Sequence, residues 1–246
     1  MIEVCCGSYK DGLRAYKGGA TRIELNSALY LGGLTPSVAS LRLLKRETTL
    51  TIICMVRPRG AGFTYDEIEY KQMLLEAEDL LENGADGLAF GFLNSDHTID
   101  VERTREFIEL IHKYHRTAVF HRAFDCCADL DRAMSQLIEL GVDRVLTSGG
   151  QPTAIDGADQ IKSLQDNYGK DIEILAGSGV NYNNAASLME HTGISQVHSS
   201  CKDYEEDPTT SGKSVTYRYY TGTHANDYES VNQENVEKLV SSLQNK

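Results

Sequence analysis

Short apolar runs and longer mixed runs alternate along the whole chain. The apolar runs begin near Ile2, Arg22, Thr51, Gly87, Ala118, Arg144, Glu173 and Gln196 and last only a few residues, the length of a buried strand. Between them the spacing changes. Over residues 65–82, 101–115 and 131–140 apolar positions recur three and four apart, the period of an amphipathic helix. Glycine or Asn-Gly precedes the next apolar run at 18–19, 83–84, 141 and 193, as expected of helix C-caps. A helix-to-strand phrase recurs as GGATRIEL, NGADGLAF and GVDRVLTS. Eight strand–helix units in about 250 residues predict an α/β fold of the TIM (β/α)8-barrel type. The alternative is a doubly wound open sheet. It usually has fewer strands and often a phosphate-binding turn after the first, whereas Cys6-Gly7-Ser8 carries no G-x-G-x-x-G pattern. One barrel domain over 1–246 is expected, with the eight strands in 1–201.

The remainder, 202–246, reads differently. A polar stretch runs to about residue 232, and a final helix is expected over 234–243. Tyr217-Arg218-Tyr219-Tyr220 within that stretch suits a short strand or a segment docked on the barrel. Loops this long in compact domains are usually functional or mobile, so the stretch is expected near the barrel mouth.

Successive strand residues point to opposite faces. The outward face meets the helices and must be apolar. The inward face can turn polar at the C-terminal mouth, where active sites of this fold lie. With Ile2 and Val4 outward, Glu3 and Cys5 face in. With Ile23 and Leu25 outward, Arg22, Glu24 and Asn26 face in. The same rule turns Arg57, His121 and His198 inward and Cys54 toward the helices. Glu3, Glu24, Arg57, His121 and His198 then converge on one pore, either as a closed ion-pair network or as a catalytic site. Isolated buried charges are costly, and the mouth location favours catalysis.

Asp125, just past the fifth strand, either orients His121 or caps the following helix, and Asp129 is a helix cap. Alternation sends Arg122 outward, to a helix carboxylate. Two glycine-rich turns follow strands six and seven. Ser148, Gly149 and Gly150 form one, and Gly177, Ser178 and Gly179 the other. Such turns let backbone N–H groups approach an anion, so both are candidate phosphate sites, with tight βα turns as the plain alternative.

The formal net charge of −12 argues against nucleic acid, which needs a basic footprint. No apolar run reaches the ~18–20 residues of a membrane span, and MIEVCCGSYK does not read as a signal peptide. A cytoplasmic location is expected. Six cysteines, at 5, 6, 54, 126, 127 and 201, include two adjacent pairs and no C-x-x-C, which suits reduced thiols. Cys5-Cys6 and Cys126-Cys127 are candidate donors to a soft metal. The sequence leaves a homo-oligomer built on helix faces open.

These residues carry a family resemblance. MIEVCCGS, GGATRIELNSALYLGGLTPS, MVRPRGAGFTY, GADGLAFGFL, VFHRAFD and DRVLTSGG together resemble the CutC copper-homeostasis family from residue 1 to about 200. The resemblance implies a TIM barrel, a cytoplasmic location and Cu(I) bound by cysteines near the mouth. Cys5 carries over as a metal ligand. Relatives often have cysteine after the RIEL stretch where this chain has Asn26, which leaves Cys6 as the candidate second ligand. Cys126 and Cys127 fall outside the matched stretches. A carrier of metal alone has no evident need for Glu24, Arg57, His121 and two anion-friendly turns. The alternative is therefore a barrel enzyme acting on a small anionic or phosphorylated metabolite, with His121 or Glu24 as base and Arg57 stabilising negative charge.

Overall fold

The structure, a computed structural model, describes residues 1–244. Eight parallel strands close into a barrel in chain order. They are β1 (Ile2–Cys6), β2 (Arg22–Leu25), β3 (Thr51–Met55), β4 (Gly87–Phe90), β5 (Thr117–Phe120), β6 (Arg144–Thr147), β7 (Glu173–Ala176) and β8 (Val197–Ser199). The helices α1 (Tyr9–Lys17), α2 (Val38–Glu47), α3 (Glu67–Glu82), α4 (Val101–Lys113), α5 (Leu130–Leu140), α6 (Ala158–Tyr168) and α7 (Ala185–Thr192) alternate with them. The chain then makes an antiparallel hairpin, β9 (Lys202–Glu206) with β10 (Asp227–Val231), and ends in α8 (Gln233–Gln244). The expected TIM-type barrel is present. No helix among the described residues is long and apolar enough to cross a membrane.

Local chemistry sets the helix starts. Ser8, Ser37, Asp100 and Asp129 each accept a backbone N–H in the first turn of the helix that follows, and Asp66 makes a full capping box with Glu69. Each bond satisfies a donor that the helix itself leaves unpaired. Asp129 is thus the cap expected of it.

The core lies mainly between strands and helices. Phe90, Phe92, Phe107 and Phe120 are buried there in mutual ring contact. Cys54 faces this layer. Inside the barrel, Ile53, Met55, Ala89 and Val119 form a separate small apolar cluster. Leu146 and Leu175 are also buried apart from the strand–helix core, and much of the remaining interior is polar.

The last helix packs on both α7 and α1, completing the outer ring. A Cβ at Gly18 would lie 2.6 Å from that of Val236, so glycine allows α1 and α8 to meet. The hairpin is fastened to α1. The buried Asp11 carboxylate accepts Ser230 Oγ at 2.9 Å and the Val231 amide at 2.8 Å, while Arg14 pairs with Glu205. The Tyr217–Tyr220 motif forms no strand. It docks instead: Tyr219 stacks on Tyr30 of the β2–α2 loop at 4.4 Å, and Tyr220 meets Tyr204 edge-on.

Candidate functional site

Strand register assembles the site. Glu3 lies beside Arg22 on one side and His198 on the other, and Cys5 lies beside Glu24. All point into the barrel by alternation. One donor atom from each of Cys5, Glu24 and His198 falls within 4.8 Å of the others. The Cys5 thiol donates to Glu24 Oε2 at 3.9 Å. Asn26 Nδ2 donates to the same oxygen at 2.9 Å and reaches Cys5 Sγ at 3.6 Å. Glu24 Oε1 is buried with no hydrogen-bond partner among the described residues.

Behind this cluster runs a buried ionic chain. His198 Nδ1 lies 2.9 Å from Glu3 Oε1, and Glu3 Oε2 lies 2.6 Å from Arg22 Nε. Arg22 continues to Gln196 at 2.6 Å, Gln196 to Glu173 at 3.1 Å, and Glu173 to Arg144 at 2.6 Å. Glu3 is therefore engaged on both oxygens and acts as a support for His198. Burial opposes charge on the His198 ring, yet the Glu3 hydrogen bond and the carboxylates of Glu24 and Glu3 carry its pKa upward. Burial opposes charge on Glu3 too, but His198 and Arg22 hold it below the usual range. Burial raises Glu24, outweighing the opposing pull of His198. Burial and then the Glu24 charge push the Cys5 thiol well up.

The other expected residues divide. Cys6 points the opposite way from Cys5, into the strand–helix core, where its thiol meets the Val4 carbonyl. It does not join the cluster. Arg57 points inward but is spent on loop carbonyls, donating to Leu31 at 2.9 Å, Gly33 at 3.2 Å and Ala61 at 2.5 Å. It ties two mouth loops together and lies over Phe63.

His121 is buried against Phe63. Its Nδ1 accepts the Ala123 amide at 3.1 Å, so the neutral ring carries its proton on Nε2, which has no partner among the described residues. Burial, reinforced by Arg57, lowers its pKa to about 3. Asp125 neither orients His121 nor caps α5. It accepts Thr147 Oγ1 at 2.5 Å and the amides of Ser148 and Gly150 at 3.0 Å each. The turn 148–150 thus already holds an oxyanion, supplied by the chain, and this corrects its reading as an open phosphate site. Cys126 is exposed and Cys127 half-buried in the adjoining loop, apart from the donor cluster.

Arg122 is the clearest departure. A 3-10 turn over Arg122–Cys126 begins one residue past β5, with His121 as its N-cap, so strand alternation no longer applies. The guanidinium pairs with Asp125 at 2.7 Å and donates to Ser148 Oγ at 2.7 Å. It lines a mouth pocket of about 520 Å³ together with Cys5, His198, Ser178, Gly179 and Lys202. Arg144 and Glu173 were readable by the same alternation, from outward Val145 and Ile174. Lys202 and Glu229 come from the hairpin and had no periodic signal.

A parallel β/α barrel with sulfur, nitrogen and carboxylate donors at its C-terminal mouth is the class this fold and site define. Residues 1–203 match the CutC family. A Treponema denticola protein bearing the CutC family name is 48% identical over 216 residues, covering 88% of this chain and 87% of its own. The Drosophila melanogaster copper homeostasis protein cutC homolog is 39% identical over 205 residues, covering 82% and 77%. The crystal structure of CutC from Streptococcus agalactiae superposes with a TM-score of 0.77 at 30% identity, covering 81% of this chain and 98% of that one. The chain belongs to the CutC family. Phosphoribosyl anthranilate isomerase from Thermotoga maritima, at 10% identity and a TM-score of 0.58, shares the fold alone.

Proposed function

We propose that the protein serves copper homeostasis in the cytoplasm by holding a single Cu(I) at the barrel mouth, with Cys5 and His198 as donors. The observation that carries this reading is the convergence of Cys5, Glu24 and His198 within 4.8 Å. A thiolate and an imidazole suit a soft metal, and a carboxylate suits it less. Glu24 is accordingly the group that relays the Cys5 proton to solvent. Glu3 orients the His198 ring through Nδ1, leaving Nε2 for the metal, as metal-ligating histidines commonly require. Beside Cys5 stands the amide of Asn26 rather than a second thiol, and Cys6 faces away. The site therefore supplies one thiolate. Relatives named for copper homeostasis support the same reading.

Cu(I) competition titration tests it. Cys5→Ser and His198→Gln should each weaken binding at least about tenfold, while Cys6→Ser should not. Binding should strengthen as pH rises, because the Cys5 thiol, with its raised pKa, must lose its proton. Equal affinity in wild type and Cys5→Ser would overturn the site.

A second reading is a barrel enzyme on a small anionic metabolite. The pocket above the cluster favours it. Glu24, a carboxyl kept protonated to higher pH by burial, is then the general acid or base.

A further inference from the structure

Two glycine-rich turns of similar sequence follow adjacent strands, and they differ in what their backbone donors meet. In turn 148–150 the amides of Ser148 and Gly150 donate to Asp125. In turn 177–179 the amides of Ser178 and Gly179 donate to no acceptor among the described residues. Ser178 has φ of 80° and Gly179 of 73°, and both residues line the mouth pocket. The first turn demonstrates, in the same molecule, that this kind of turn accepts an oxyanion.

Arg122 lines the same pocket. Asp125 engages its Nε and Ser148 its Nη2. Its Nη1 has no partner among the described residues. Three contacts, the third from Nη2 to the Gln151 carbonyl at 3.4 Å, hold the side chain while Nη1 stays available, which is how a guanidinium recognises carboxylate or phosphate. Lys202, on the hairpin side, is paired with Glu229. The pocket thus gathers Arg122 and free amides in a chain of net charge −12. Its volume of about 520 Å³ suits a small molecule.

We propose that the mouth pocket binds a small metabolite bearing an oxyanion, a phosphate ester or a carboxylate. Its anionic group sits between Arg122 and turn 177–179, and its remainder lies over Cys5 and His198. The inference deepens the enzyme reading, yet it requires neither a metal nor turnover. It also explains why Asp125 is buried where it is: one carboxylate fills the first turn and braces the arginine that serves the second.

The test titrates the 15N-labelled full chain separately with inorganic phosphate and with acetate. Saturable amide shifts are expected at Ser178 and Gly179, with Ser148 and Gly150 unmoved. Saturation by phosphate alone supports a phosphate ester, saturation by acetate alone a carboxylate, and saturation by both the shared oxyanion site. Arg122→Gln should weaken binding at least about tenfold and Arg122→Lys should recover part of it. No saturable shift at 178–179 with either anion, shifts centred on 148–150, or unchanged affinity in a folded Arg122→Gln protein would overturn the proposal. The wild-type shift map decides the matter even if the variant does not fold. Cu(I) titration of the same preparation separates the two readings. Lost metal binding with retained anion binding removes the copper site alone, and the reverse removes only this one.

Discussion

His121 stays neutral because burial, reinforced by Arg57, lowers its pKa to about 3, whereas an unfolded histidine titrates near 6.5. Between those values the unfolded chain binds a proton that the folded chain refuses. The associated stability is fully present above about pH 6.5 and is lost as pH falls toward 3, at up to about 1.4 kcal/mol per pH unit. His121→Asn keeps an acceptor for the Ala123 amide and removes the titration. Urea unfolding at pH 7 and pH 4.5 should show a smaller loss in the variant than in wild type. Asp125→Ala strips partners from two backbone amides, the Thr147 hydroxyl and Arg122. It should cost about 3 kcal/mol by urea denaturation. Alternation was enough to find His121 and Glu24, because it depends only on the strand being straight. It failed at Arg122, one residue later, because a 3-10 turn replaces the strand there. Nor could it assign Asp125, whose partners lie on the β6 turn, 22 to 25 residues away.

At the scale of elements, the one buried carboxylate among the hairpin's links to α1 is its central anchor. Asp11 is buried and bonds Ser230, Val231 and, at 3.1 Å, the Gly7 amide. Asp11→Ala should free β10 while leaving the barrel strands closed. Hydrogen exchange should accelerate at 227–231 by about a hundredfold, the equivalent of about 2.7 kcal/mol, with β3 to β6 unchanged. All eight barrel strands begin where their apolar runs do or one residue away, because a buried strand needs an uninterrupted apolar face. The hairpin was invisible for the converse reason. Its residues are mostly exposed or half-exposed, so no face of it is written in hydrophobic residues. Tyr219 docks through a ring stack on Tyr30, a contact between two loops that periodicity does not register.

At the scale of the molecule, we propose that 1–246 fold as one unit, because α8 fills the gap in the helical ring between α7 and α1. Its Val236 and Leu239 are fully buried. A chain ending at residue 201 would expose the apolar surface of α1 and α7. It should lose a single cooperative unfolding transition, checked by comparing far- and near-ultraviolet circular dichroism during thermal melting. Ring closure follows from counting strand–helix units, and that much was legible in the sequence. The polar interior was legible only in part, since its ion pairs join residues such as Glu3 and His198 that sit 195 positions apart. The same inward and outward logic sorts the six thiols by accessibility. Cys6, Cys54 and Cys201 are buried, Cys5 and Cys127 are partly covered, and Cys126 is exposed. The native chain therefore carries its own attachment point for a maleimide dye or spin label, one residue from Asp125 and within the turn that positions Arg122. Distances from that label would report on ligand entry at the mouth without a single engineered cysteine.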